Sequence, residues 1–70
     1  MAPEQRIAKA KEATKEAYRR MMDAATKTAN LFTMCAEFEE NAEQAANYRF
    51  AAQQWQNTAQ MATEHMRKFG

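Results

Sequence analysis

The side chains best suited to chemistry in this sequence are a single cysteine, Cys35, and a single histidine, His65. A reactive thiol needs a basic neighbour that stabilises the thiolate, whereas Cys35 is closely followed by Glu37 and Glu39. A helical two-metal site needs inward-facing Glu and Glu-x-x-His sets, and His65 is not part of such a set. The chain also has no serine, no nucleophile–base pair and no glycine-rich phosphate loop. We therefore expect no enzymatic activity, no metal site and no cofactor.

A cluster of basic and aromatic side chains suggests a different chemistry, the binding of phosphate. Lys15, Tyr18, Arg19 and Arg20 lie within two helical turns, and such residues suit the phosphates and bases of RNA or of a nucleotide. The net charge is only +1, so the chain as a whole supplies no general attraction to nucleic acid. A solvated helix face, paired with Glu16 and Asp23, explains the same residues. We favour this simpler interpretation and keep phosphate binding as an alternative.

The elements that carry these residues are predicted to be helices. The sequence has one glycine, at its last position, and one proline, at position 3, so it lacks the residues that punctuate sheets and loops. Alanine is the commonest residue, accompanied by other good helix formers such as glutamate, glutamine and lysine. Seventy residues form one domain at most, residues 1–70. The predicted fold class is all-α, a long helical hairpin that assembles into a four-helix bundle-like homo-oligomer.

The clearest periodic pattern lies in the second half of the chain. Apolar residues alternate there between spacings of three and four, which is the a/d pattern of a heptad and makes one narrow stripe on a helix. We expect this stripe to be the seam on which the rest of the chain packs, with Trp55 buried near Thr28, Leu31 or Phe32. The residues of the stripe are Ala45, Tyr48, Ala52, Trp55, Ala59, Ala62, Met66 and Phe69.

The first half carries a similar stripe when Ile7 is assigned to position a. Tyr18, Ala25 and Phe32 then fall at position e and widen the stripe, as in a helix that faces a globular core. We predict that the a, d and e residues face the second helix, with Cys35 as a small buried hydrophobe. The a and d residues are Ile7, Ala10, Thr14, Ala17, Met21, Ala24, Thr28, Leu31, Cys35 and Phe38.

The turn between the helices is predicted near residue 40. Phe38 is a d residue in the first register and an a residue in the second, and such a slip occurs at a turn. Asn41 is a good N-cap, and Gln44 three residues later completes a weak capping box. Residues 26–33, where helix propensity is low, are the competing position. We predict the first helix at about 4–39, the turn at about 39–41 and the second helix at about 42–69.

The seam is half alanine, and a hairpin of this length buries too little apolar area to be stable alone. We therefore expect a homo-oligomer, most simply a dimer. Charge favours antiparallel stacking, because the turn region is acidic and both chain ends are basic. Phe50 and Met61 form a second apolar strip that a monomer would expose. The residues expected in the core or oligomer seam are Met21, Leu31, Phe32, Phe38, Tyr48, Trp55, Met66 and Phe69.

These observations predict a small helical interaction protein that binds or inhibits another protein, of the kind that phages and mobile elements encode. We expect it to be cytoplasmic, because it has no apolar leader, no stretch suited to a membrane and no cysteine pair. Two alternatives stay open: RNA binding through the Lys15–Arg20 face, and a helical sponge that encloses a small anion such as a nucleotide. The candidate binding residues are Lys15, Tyr18, Arg19, Arg20, Phe50 and Met61.

Overall fold

The computed structural model describes residues 2–68, which form two α-helices joined by a short turn. Helix α1 extends over Pro3–Phe38 and helix α2 over Ala42–Arg67. Pro3 suits the first position of α1, where its missing N–H needs no partner, and Glu4 lies near the positive end of the helix dipole. The described part of the chain contains no β-strand, so the predicted all-α hairpin is confirmed.

The two helices run antiparallel and differ in length. The rings of Tyr18 and His65 stack near the open end, and the rings of Phe32 and Tyr48 meet nearer the turn. Because α1 has 36 residues and α2 has 26, the start of α1 projects past the end of α2. Every residue from 2 to 13 is exposed, and residues 3–13 are called the overhang below. The hairpin is accordingly a thin rod, measuring 59 × 15 × 12 Å.

The turn occupies residues 39–41, where the register slip and the cap predicted it. Asn41 Oδ1 accepts a hydrogen bond from the backbone N–H of Gln44 at 3.0 Å, which is the predicted N-cap. The backbone N–H of Asn41 donates to Glu39 Oε1 at 3.1 Å. Glu39 and Asn41 have extended backbones with negative φ, so the chain reverses here without the glycine that a left-handed residue would favour.

The core of the hairpin consists only of alanine. Six residues are fully buried, and within residues 2–68 no larger side chain is buried to the same degree. On α2 these alanines belong to the predicted stripe, in which Tyr48, Ala59 and Met66 are half-buried. Phe69, the predicted last member of that stripe, lies outside the described residues. The six buried residues are Ala25, Ala29, Ala36, Ala45, Ala52 and Ala62.

The face of α1 that meets α2 is shifted by one residue from the predicted a/d stripe. This face, the closed stripe, comprises Tyr18, Met22, Ala25, Ala29, Phe32 and Ala36. It includes the predicted e residues, and the predicted a residue Thr28 is half-buried beside it. The neighbouring a/d residues of the same segment form the open stripe, comprising Met21, Ala24, Thr28, Leu31, Cys35 and Phe38.

The large members of the open stripe remain exposed. Met21 is 46 % exposed, Leu31 61 % and Phe38 81 %, and the thiol of Cys35 is exposed rather than buried as predicted. The physical reason lies in side-chain size. The three alanines of the closed stripe let α2 approach closely, whereas methionine, leucine and phenylalanine would hold the helices farther apart.

Trp55 also departs from its predicted burial against α1, because 40 % of its surface is exposed. It belongs to the α2 stripe, where its neighbours Ala52 and Ala62 are buried. An indole ring is too large to fit between two helices that meet through methyl groups. Trp55 is therefore left at the margin of the contact.

The cap at the turn gives a stability prediction. Replacing Asn41 by alanine removes the acceptor of the Gln44 N–H and should lower the free energy of unfolding by about 1 kcal/mol. The matched control is Asn47→Ala on the exposed surface of α2, which should be neutral or slightly stabilising because alanine is the better helix former. Urea denaturation followed by circular dichroism measures both. Equal effects of the two changes would contradict the cap.

The alanine core gives a second prediction. Ala29→Leu adds three heavy atoms where the helices touch, so it should destabilise the protein by about 1–3 kcal/mol. Ala46→Leu is the control, because Ala46 is exposed on α2 and leucine keeps the helix propensity. The two variants are compared by thermal denaturation. If Ala29→Leu is as stable as Ala46→Leu, the close helix contact at Ala29 is not formed.

Candidate interaction surfaces

The basic cluster on α1 is organised by one carboxylate. Arg19 Nη1 lies 3.0 Å from Glu16 Oε2, and Arg20 Nε lies 3.5 Å from Glu16 Oε1. Both arginines are exposed, so solvent screens these ion pairs and each contributes little to stability. A phosphate at this site would have to compete with the Glu16 carboxylate for both guanidinium groups. The geometry is that of a solvated helix face.

Tyr18 of the predicted cluster contacts the second helix. Its ring stacks on His65, with centroids 5.3 Å apart and an angle of 12° between the planes. The contact joins α1 to α2 and leaves both residues half-buried. His65 was considered above only as a metal ligand, so this pair was not predicted. The available signal was that both residues lie at similar distances along the chain from the turn.

Two further contacts connect the helices through side chains larger than alanine. Phe32 and Tyr48, both predicted seam residues, meet with ring centroids 6.2 Å apart. Thr63 Oγ1 lies 3.0 Å from the carbonyl oxygen of Ala59 and 2.9 Å from Sδ of Met22. These groups are half-buried, so the contact between the helices has polar and aromatic margins around an alanine centre.

The open stripe of α1 is the most continuous apolar surface of the hairpin. Its residues alternate between spacings of three and four, and from Met21 to Cys35 each precedes a member of the closed stripe by one position. One residue corresponds to about 100° around an α-helix. The open stripe therefore lies beside the contact with α2 and not on the opposite side of α1. Thr28 belongs to it without exposing an unpaired hydroxyl, because its Oγ1 donates to the carbonyl of Ala24 at 2.8 Å.

A smaller apolar surface lies on α2. Phe50 is 67 % exposed and lies two positions before the buried Ala52, which places it nearly opposite the contact with α1. Met61, eleven residues on, is 52 % exposed and immediately precedes the buried Ala62, so it lies nearer the flank. Amide side chains separate the two, and Gln53 and Asn57 bond to each other at 3.1 Å across one turn. Phe50 is thus the aromatic residue most available to another protein on this helix.

The structure offers no enclosed site along residues 2–68. No pocket is found there, and no group of three or more His, Cys, Asp or Glu side chains is arranged to hold a metal ion. Neither described helix combines the length and apolar character needed to cross a membrane.

Protein-family models, curated proteins and solved structures were compared with this chain, and none of the three comparisons gives a significant match.

Proposed function

We propose that this chain is a small helical interaction protein that works as a homo-oligomer of hairpins and binds or inhibits another protein. The observation that carries the proposal is that small apolar side chains are buried while large ones are exposed, the reverse of an ordinary protein core. Among residues 2–68 the fully buried positions hold only alanine, while most of the large hydrophobic residues face solvent. The exposed large residues are Ile7, Met21, Leu31, Met34, Phe38, Phe50, Trp55 and Met61.

Surface area supports a partner of substantial size. A compact folded monomer of this mass exposes roughly 4500 Å², whereas the hairpin exposes 5522 Å². The difference, roughly 1000 Å², is close to the roughly 800 Å² that each partner buries in an ordinary protein interface. The radius of gyration also shows that the hairpin is more extended than a compact domain. It is 16.9 Å, whereas a compact chain of this length has about 11 Å.

Two surfaces suit two different roles. The open stripe is long, continuous and heptad-spaced, which favours the packing of another helix. Phe50 is surrounded by polar residues and lies away from that stripe, so it stays accessible when the stripe is covered. We assign the open stripe to oligomerisation and Phe50 to the binding of a second protein, because aromatic anchors with polar surroundings are typical of interface hot spots.

Anion binding remains the less well-supported function. The overhang carries Arg6, Lys9 and Lys11, all exposed, which adds positive charge near the open end. Against this, Glu16 already pairs with both arginines of the predicted phosphate-binding face. A nucleotide sponge would need a cavity formed between copies of the chain, since the described hairpin contains no pocket.

The first test of the proposal is the mass in solution. Light scattering at micromolar concentration should give about twice the single-chain mass of 8.1 kDa. Apolar burial drives the association, so the dimer should persist when salt is raised from 0.1 to about 1 M, where surface charges are screened. A mass of one chain at all accessible concentrations would contradict the homo-oligomer.

The second test separates protein binding from anion binding. Tagged wild-type protein, Phe50→Gln and Arg19→Gln/Arg20→Gln are used to capture partners from the native host. Phe50→Gln should lose the bound protein, and the double arginine variant should keep it. Both variants alter exposed residues, so their melting temperatures should stay close to that of the wild type.

The opposite pattern would contradict the proposal. If the arginine variant loses the ligand while Phe50→Gln keeps it, and if capture falls steeply between 50 and 200 mM salt, the ligand is held through its phosphates. In that case the anion-binding alternative replaces protein binding as the function of the chain.

A further inference from the structure

We infer that the open stripe of α1 is the surface that binds a second copy of this chain. The two hairpins stack antiparallel, so that α1 of one copy packs on α1 of the other. The inference rests on the proposed homo-oligomer and on the assignment of the open stripe to its interface, and it specifies which helices pair and in which orientation.

The first argument is the angle between the two stripes of α1. A helix in a four-helix bundle touches two neighbours, which lie about 90° apart around its axis. The closed and open stripes are offset by one residue along α1, which corresponds to a rotation of about 100° around the helix axis. The closed stripe is occupied by α2 of the same chain. The open stripe is therefore directed where the second neighbour of a bundle helix would lie.

The second argument is the character of the corresponding flank of α2. Two antiparallel helices are related by a two-fold axis that is perpendicular to the plane containing both helix axes. On each helix, the residues that precede the positions buried in the contact therefore lie on the same side of that plane. On α2 these are Gln44, Asn47, Ala51, Thr58, Met61 and His65, a more polar set than the open stripe. Antiparallel stacking sets α1 on α1 and α2 on α2, and so matches apolar with apolar and polar with polar. Parallel stacking would set the open stripe on the polar flank of α2.

The third argument is charge. The turn end of the hairpin carries four glutamates at positions 37, 39, 40 and 43, while the open end carries Arg6, Lys9, Lys11, Arg67 and Lys68. Parallel stacking would place the four glutamates of each copy side by side. Antiparallel stacking places each acidic turn beside the basic overhang of the other copy. Exposed ion pairs contribute little energy, so they select the orientation while the open stripe supplies the apolar area.

The first experiment tests the face. Leu31→Gln places an amide in the middle of the open stripe without touching the alanine core, and it should reduce the mass by half in light scattering while circular dichroism stays helical. Phe50→Gln is the matched control, because it removes an equally exposed apolar residue from the other side of the hairpin and should remain a dimer. A dimeric Leu31→Gln, or a monomeric Phe50→Gln, would overturn the assignment of the face.

The second experiment tests the orientation and does not depend on whether Leu31→Gln folds. A spin label is attached to Glu40→Cys in the turn, with Cys35→Ala removing the native thiol. At 1.5 Å per residue, antiparallel stacking separates the two labelled turns by roughly 40–50 Å, whereas parallel stacking brings them within about 25 Å. Pulsed electron paramagnetic resonance measures this distance.

The outcomes separate the inference from the function on which it rests. A distance of roughly 40–50 Å supports the antiparallel dimer, and a distance below about 25 Å overturns the orientation while leaving the homo-oligomer intact. Absence of dipolar coupling together with a single-chain mass overturns both the dimer and the inference.

Discussion

Six alanine side chains form the buried centre of the contact between the helices. The other features of the hairpin follow from how little apolar area these side chains bury. A buried methyl or methylene contributes about 0.8 kcal/mol, whereas a buried leucine or phenylalanine contributes about 1.5–3 kcal/mol. The alanines at positions such as 25, 29 and 52 therefore bring the helices close together without supplying much free energy. The same closeness confines larger side chains to the margins of the contact. Phe38, Leu31 and Trp55 remain outside, where they can contribute only if something else covers them.

Much of the fold could be predicted from local chemistry. Helical composition, the cap at Asn41 and the slip at Phe38 all act within a few residues, so they specify the helices and the turn without knowledge of tertiary contacts. The seam of α2 was also predictable, because that helix has a single heptad-spaced stripe. These features depend on periodicity and capping, which a sequence displays directly.

The face of α1 could not be chosen in the same way. This helix has two adjacent apolar stripes, and periodicity alone does not say which of them meets α2. The larger side chains favoured the a/d assignment, yet the alanines at positions 25, 29 and 36 were the ones that allowed close approach. The pairing of Tyr18 with His65 was hidden for a related reason, since it depends on the axial alignment of two helices far apart in sequence. The function proposed for the exposed surfaces is more distant still, because it depends on contacts with a molecule outside this chain.

The overhang of α1 has a consequence for the dynamics of the chain. An isolated helical segment shorter than about 12–15 residues is marginal in water, because nucleation is costly and few hydrogen bonds follow it. Residues 3–13 are all exposed, so burial adds little to this balance, and α1 begins without a side-chain cap at Ala2. Their amide protons should exchange with solvent far faster than those beside Ala29. The overhang thus behaves as a helix–coil equilibrium attached to a packed rod, and any acidic surface that lies along it would shift that equilibrium toward helix.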